Sequence, residues 1–204
     1  NNDELYKQFE PHFETVEEFY FAGGEPLLTD EHYDILEYLI EHGRTDVKLR
    51  YNSNMSVLKY KNKNVLDLWK QFSNVYIGAS LDSWGSRAEY IRHGTDWSVI
   101  ENNLTKIRQE APHIHLQTNT VVSILNIKTL TEFIDYMLNS GMIDVDNYNP
   151  HFYNVMNPDF LSLQLLPESE RNDVIKKLQD YSKMHRGNIE YALRGVINGL
   201  RTAN

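Results

Sequence analysis

Short runs of β-forming residues alternate with amphipathic helical patterns along this 204-residue chain, and this alternation limits the possible folds more than any other feature. Five strand–helix units in succession predict parallel strands, because each helix returns the chain to the same end of the sheet. We expect strands at 18–22, 47–51, 75–81, 114–122 and within 149–155. Five strands are too few to close an eight-stranded barrel, so the pattern predicts one α/β domain over 1–204, with an open sheet or an incomplete barrel.

The segments between these strands carry helical patterns with recognisable ends. We expect helices from about Asp30 to a left-handed cap at Gly43, over 65–72, behind an N-cap at Asp96, over 130–138 and over 167–185. A last helix is predicted over 189–200, with a buried face made of Tyr191, Ala192, Val196 and Leu200.

The composition excludes several functional classes. No apolar run approaches the roughly 18 residues of a membrane-spanning helix, and the mean hydropathy is −0.55. A net charge of −9, with scattered lysines and arginines, is unlike a nucleic-acid-binding surface. The absence of cysteine excludes a disulfide framework and a thiolate metal site within these 204 residues. The chain starts without Met and without a signal-peptide pattern, so we expect an excerpt of a longer, cytoplasmic protein.

Parallel α/β folds bind ligands at the carboxyl ends of their strands, and polar residues recur there in this sequence. The candidates, strand by strand, are Gly23, Gly24 and Glu25 after the first, Asn52 after the second, Ser80 and Asp82 at the end of the third, and Asn119 in the fourth. Each alone has an ordinary explanation, such as a tight turn at the glycines or a helix cap at Asp82. Their recurrence in successive loops predicts one shared site. Further candidates to line a cavity are Tyr51, Trp84, Tyr153 and Gln164, although core packing suits the aromatic residues equally well.

The order and spacing of these residues resemble the radical S-adenosylmethionine (SAM) enzymes. Residues 19–28 are similar to the family's GGEPLL motif, and 49–54 to the region after its third strand. Residues 77–83 resemble its fourth-strand motif, 87–94 the stretch that follows, and 116–122 its fifth strand. The residues of these motifs resemble those of the branch whose members carry a C-terminal SPASM or twitch extension.

This resemblance, which covers roughly residues 18–166, implies a partial (β/α)6 barrel, similar to a TIM barrel, whose first strand–helix unit is missing from the excerpt. It implies an oxidoreductase that binds SAM next to a 4Fe–4S cluster. An external electron donor would supply the electron that cleaves the sulfonium to a 5′-deoxyadenosyl radical, which abstracts a hydrogen from a peptide or small-molecule substrate.

The resemblance also implies roles for individual residues. Gly23, Gly24 and Glu25 would meet the SAM amino group, and Arg92 the SAM carboxylate. The remaining cofactor-binding candidates are Ser80 and Asp82 at the ribose, Asn119 at the nucleoside, and Asn52.

The chain departs from the family in one respect. Family members hold the cluster with three cysteines spaced C-x3-C-x2-C, and none is present in these 204 residues. We therefore expect the cysteine loop to lie upstream of Asn1 in a parent enzyme, and these residues alone to be inactive. Two alternatives stay open: a non-catalytic module that binds SAM or a nucleoside, and an unrelated α/β-barrel enzyme that uses Glu25 and Asp82 as acid and base.

Overall fold

The structure, a computed structural model, describes residues 10–202. Its strands and longer helices are β1 Glu18–Phe21, α1 Asp30–Glu41, β2 Lys48–Ser53, β3 Lys59–Tyr60, β4 Lys63–Asn64, α2 Val65–Trp69, β5 Val75–Ser80, α3 Gly85–Ile91, α4 Trp97–Glu110, β6 His115–Val122, α5 Leu130–Asn139, β7 His151–Asn154, α6 Glu168–Met184 and α7 Asn188–Arg201. The predicted α/β class with parallel strands is confirmed.

The described chain divides into two compact units. The first contains residues 10–79 and 99–116, and the second contains 80–98 and 117–202. In the part of the chain that the structure describes, no helix is both long and apolar enough to cross a membrane.

In the first unit, β2 pairs in parallel with β1 on one side and with β5 on the other. The side chains of β2 alternate between a buried face and a more exposed face, as the period of two requires. Tyr51 is on the buried face, 2% exposed, among the rings of Phe21, His32 and Trp69. Of the two roles that the sequence left open for Tyr51, the structure shows core packing and not the lining of a cavity.

Helix α1 of the first unit ends in the cap that the sequence predicted. Gly43 has a φ of 70° and donates its N–H to the Ile40 carbonyl, at 3.1 Å. The next N–H, that of Arg44, bonds to the Leu39 carbonyl at 2.8 Å. These bonds satisfy carbonyls that the helix leaves without partners, and they confirm the left-handed cap.

In the second unit, β6 and β7 are parallel, with Asn119 opposite His151 and Val121 opposite Tyr153. The last helix, α7, differs from its prediction, because Tyr191 is 77% exposed. The buried residues of this helix are Ile189, Leu193, Val196, Ile197 and Leu200. These positions lie on one stripe of a 3.6-residue period, whereas Tyr191 lies two residues after Ile189 and points to the opposite side.

The small hairpin of β3 and β4 was not predicted, because its strands have only two residues each. Its turn places Lys61 at a φ of 53°, a conformation that sequence patterns reserve for glycine or asparagine.

Candidate functional site

The loop after β1 carries the two glycines that the sequence singled out. Gly23 has a φ of 120°, which side-chain-bearing residues rarely adopt. A Cβ added at Gly23 or at Gly24 would have no described atom within 4 Å. The two glycines therefore leave open space beside the loop backbone, where a ligand can approach it closely.

Glu25 fixes this loop to the end of the neighbouring strand. Its Oε1 accepts hydrogen bonds from the Ser53 hydroxyl at 2.8 Å and from the Leu27 N–H at 3.3 Å. Its Oε2 accepts the Asn54 N–H at 2.9 Å. One carboxylate thus holds the loops after β1 and β2 together, and this role was not foreseen from the sequence, because the partners are 28 and 29 residues away.

An aromatic layer supports the same loop. Tyr33 is fully buried and donates its hydroxyl to the Leu27 carbonyl at 3.2 Å. Burial, together with the nearby negative charge of Glu25, raises the pKa of Tyr33 to about 12. Its neighbour His32 is 2% exposed, and its Nε2 lies 3.0 Å from the Tyr51 hydroxyl oxygen. Burial lowers the pKa of His32 to about 3, so this ring is neutral in the folded protein.

Asn52 lies at the end of β2, on the exposed face of the first unit's sheet. Its Nδ2 donates to the Tyr20 hydroxyl at 2.6 Å. Glu25, Ser53 and Asn54 join the loop after β1 to the same strand end. The structure therefore brings Gly23, Gly24 and Glu25, in the loop after β1, close to the end of β2, where Asn52 lies.

In the second unit, Asp82 is 7% exposed and holds two segments in place. Its Oδ1 accepts the Val121 N–H at 2.8 Å, and its Oδ2 accepts the Arg92 Nε–H at 2.7 Å. Helix α3 begins at Gly85 behind Trp84, so Asp82 does not act as the helix cap that the sequence allowed. Its carboxylate is part of the structure of this strand end.

The other second-unit candidates lie around Asp82. Arg92 uses its Nε for Asp82, keeps 36% of its side chain exposed, and makes no bond through its terminal nitrogens to any residue within 10–202. Ser80 is half-buried, and its hydroxyl has no bond within the same residues. The Asn119 carbonyl accepts the Leu81 N–H at 3.1 Å, which places Asn119 beside Ser80 and Asp82.

Asn126 organises this strand end more than the sequence suggested. It is 2% exposed and donates Nδ2 to the carbonyls of Asp82 and Val121, both at 2.8 Å. Its Oδ1 accepts the Ser123 N–H at 2.8 Å. The Ser123-x-x-Asn126 spacing directly after a strand is the signal that identifies such a loop, because the amide can close a turn and still reach the neighbouring strand.

A cluster site does not fit the residues of this chain. The 204 residues contain no cysteine, and residues 10–202 contain no group of three His, Asp or Glu side chains placed to hold a metal ion. Thiolates are the usual ligands of iron–sulfur clusters, so these residues do not provide the ligands of one.

No protein-family model matches the sequence, and no curated protein matches it. Among solved structures, the chain is similar to SuiB of Streptococcus suis, with a TM-score of 0.62 and 13% identity. It is similar to SuiB bound to S-adenosylmethionine, with a TM-score of 0.61, and to SuiB bound to the precursor peptide SuiA, with a TM-score of 0.62, both at 13% identity.

These matches cover 92% of this chain but only 41% to 42% of the SuiB chains. The chain therefore spans about two fifths of the length of those structures, over which it has the SuiB fold.

Proposed function

We propose that this chain is the SAM-binding part of a radical SAM oxidoreductase that acts on a peptide. The observation that carries the proposal is the loop after β1, whose two glycines face open space while Glu25 fastens the loop to the next strand. Its sequence resembles the family's GGEPLL motif, and its fold is similar to SuiB, which has been solved with SAM and with a precursor peptide. We also propose that the chain belongs to the twitch branch and that residues 1–204 form a single core domain.

In the first unit, the proposal assigns the SAM ammonium to the loop of Gly23, Gly24 and Glu25, with Asn52 as a further polar contact. Glu25 accepts one hydrogen bond at Oε2 and two at Oε1, and a carboxylate has about four acceptor positions. An ammonium group can therefore be added without breaking the bonds that hold the loop.

In the second unit, the proposal assigns the SAM carboxylate to the terminal nitrogens of Arg92, because Asp82 occupies only its Nε. A guanidinium presents five N–H donors in a planar fork that suits a carboxylate. The Ser80 hydroxyl and Asp82 would bond the ribose, and the Asn119 amide would contact the nucleoside. Bound SAM would supply the sulfonium group, whose bond between sulfur and the 5′ carbon is the one that the family's chemistry breaks.

The cluster and the electron donor would come from outside these residues. Because the chain has no cysteine, we propose that a parent polypeptide supplies the C-x3-C-x2-C loop. The alternative is a non-catalytic module that binds SAM, which the same lack of cysteine favours. The parent reading frame decides between them, since a cysteine loop within a few tens of codons upstream supports the enzyme and a start codon close to Asn1 supports the module.

Calorimetry with two ligands tests SAM binding. We expect Arg92→Gln to weaken SAM binding by about tenfold, because it removes a charge-assisted bond. The loss should be smaller for 5′-methylthioadenosine, because that ligand has no carboxylate and is affected only where Arg92 Nε holds Asp82 at the ribose. The matched control is Arg194→Gln, which removes a surface arginine paired with Glu190 at 2.8 Å and should leave SAM binding unchanged. Equal SAM affinity in the Arg92 variant and the wild type would refute the assignment.

A further inference from the structure

The exposed face of the first unit's sheet carries an unusual charge for this protein. We name it the basic sheet face and define it by the side chains Glu18, Tyr20, Lys48, Arg50 and Tyr76, which lie at alternate positions of β1 and β2 and on the neighbouring strand β5. Two cations and one carboxylate leave one net positive charge here, on a chain whose net charge is −9.

The two cations share a single carboxylate. Lys48 Nζ lies 3.0 Å from Glu18 Oε2, and Arg50 Nη1 lies 3.2 Å from Glu18 Oε1. The pairing lowers the pKa of Glu18, chiefly through its hydrogen bond with Lys48. Lys48 and Arg50 keep 40% and 49% of their side chains exposed, so both present N–H donors to solvent beyond the pair.

Aromatic rings hold the cations in position. The Arg50 guanidinium carbon lies 5.3 Å from the centre of the Tyr20 ring, and Lys48 Nζ lies 4.9 Å from that of Tyr76. Tyr76 also stacks on His115, with ring centres 4.5 Å apart. Cation–π contacts restrain the long side chains without consuming their hydrogen-bond donors. An incoming anion therefore meets cations that are already oriented.

We propose that the basic sheet face binds an acidic side chain of an extended peptide substrate. The proposal rests on the proposed function, and it names the substrate class. Charge complementarity selects a carboxylate, because the face has a surplus cation in an acidic protein. Its length selects a peptide, since β2 from Lys48 to Asn52 spans roughly 13 Å, the length of about four extended residues.

Beside this row lies Tyr20, which is 55% exposed and can be reached by a main chain. The Tyr20 hydroxyl accepts the Asn52 Nδ2–H at 2.6 Å and can donate its own O–H to a peptide carbonyl. The acidic side chain would lie towards Arg50, and the peptide backbone towards Tyr20.

NMR titration with three ligands tests the proposal: acetyl-Ala-Glu-Ala-amide, acetyl-Ala-Gln-Ala-amide and glutarate. We expect the glutamate peptide to bind about three- to tenfold more tightly than the glutamine peptide, a modest ratio because the cations are exposed. Arg50→Gln should abolish that ratio. Glu18→Gln should increase it, because Glu18 competes with the ligand for the same cations. A purely structural ion pair would not show these opposite effects.

The control is Lys61→Gln, which removes another lysine of the first unit, paired with Asp30 at 2.6 Å, and should leave the ratio unchanged. Three results would each overturn the proposal. They are equal affinity for the two peptides, loss of the affinity ratio in Lys61→Gln as in Arg50→Gln, and an affinity for glutarate as high as that for the glutamate peptide. SAM calorimetry on the same samples separates the two proposals: SAM binding without peptide discrimination refutes this inference alone, and discrimination without SAM binding refutes the proposed function.

Discussion

Replacing Glu25 should loosen two loops at once, because its carboxylate joins the loop after β1 to the end of β2. Glu25→Ala removes three accepted bonds, from the Ser53 hydroxyl and the N–H groups of Leu27 and Asn54. A hydrogen bond to a charged group contributes about 1.5 to 3 kcal/mol, and partial exposure reduces that value. We therefore expect Glu25→Ala to lower the free energy of unfolding by about 2 to 4 kcal/mol.

Glu25→Gln gives a sharper test of the same geometry. The amide keeps one oxygen for Ser53 and Leu27, but its NH₂ group faces the Asn54 N–H, so two donors meet. The expected loss is about 1 to 2 kcal/mol, or a few degrees in the melting temperature. Urea unfolding followed by circular dichroism measures both variants, with the exposed Glu41→Gln as the control. A Glu25→Gln variant as stable as the control would refute the fastening role.

Two further predictions concern the same unit. Because burial lowers the pKa of His32 in the folded protein to about 3, only the unfolded chain takes up this proton as the pH falls below 6.5. The free energy of unfolding should therefore decrease by about 2 kcal/mol between pH 7.5 and pH 5. The urea midpoint of His32→Phe should fall less steeply over this range, and a fall as steep as that of the wild type would contradict the prediction. Gly24→Ala should melt like the wild type but bind SAM more weakly by calorimetry, because its Cβ would enter the open space beside the loop. Gly23→Ala, at a φ of 120°, should lose about 1 to 3 kcal/mol of stability, and equal melting of the two glycine variants would show that the loop conformation does not depend on Gly23.

Local patterns were sufficient to predict the order of the five longer strands and of the main helices between them. The strand runs, the cap at Gly43 and the N-cap at Asp96, which accepts the Ser98 N–H at 3.0 Å, depend on residues close together in the chain. Their backbone bonds form within a few positions, so propensity and spacing decide them. The motif order around Gly23 and Asp82 was visible for the same reason.

Only the packing of the elements decided which face of each one is buried. Spacing places Tyr51 on one side of β2 and Arg50 on the other, but not which side the helices cover. Tyr51 became part of the core, and the polar face of Arg50 stayed exposed. In α7, Tyr191 has the hydrophobicity of a core residue, but its position around the helix placed it in solvent.

The polar contacts of the candidate site likewise needed the tertiary structure. Glu25 reaches Asn54 across 29 positions, and Asp82 reaches Val121 across 39. Strand pairing brings such residues together, and a hydrogen bond requires its atoms within about 3 Å, which no sequence spacing determines. The sequence thus determined which groups stand at the strand ends, while the fold decided which of them hold the loops and which face solvent.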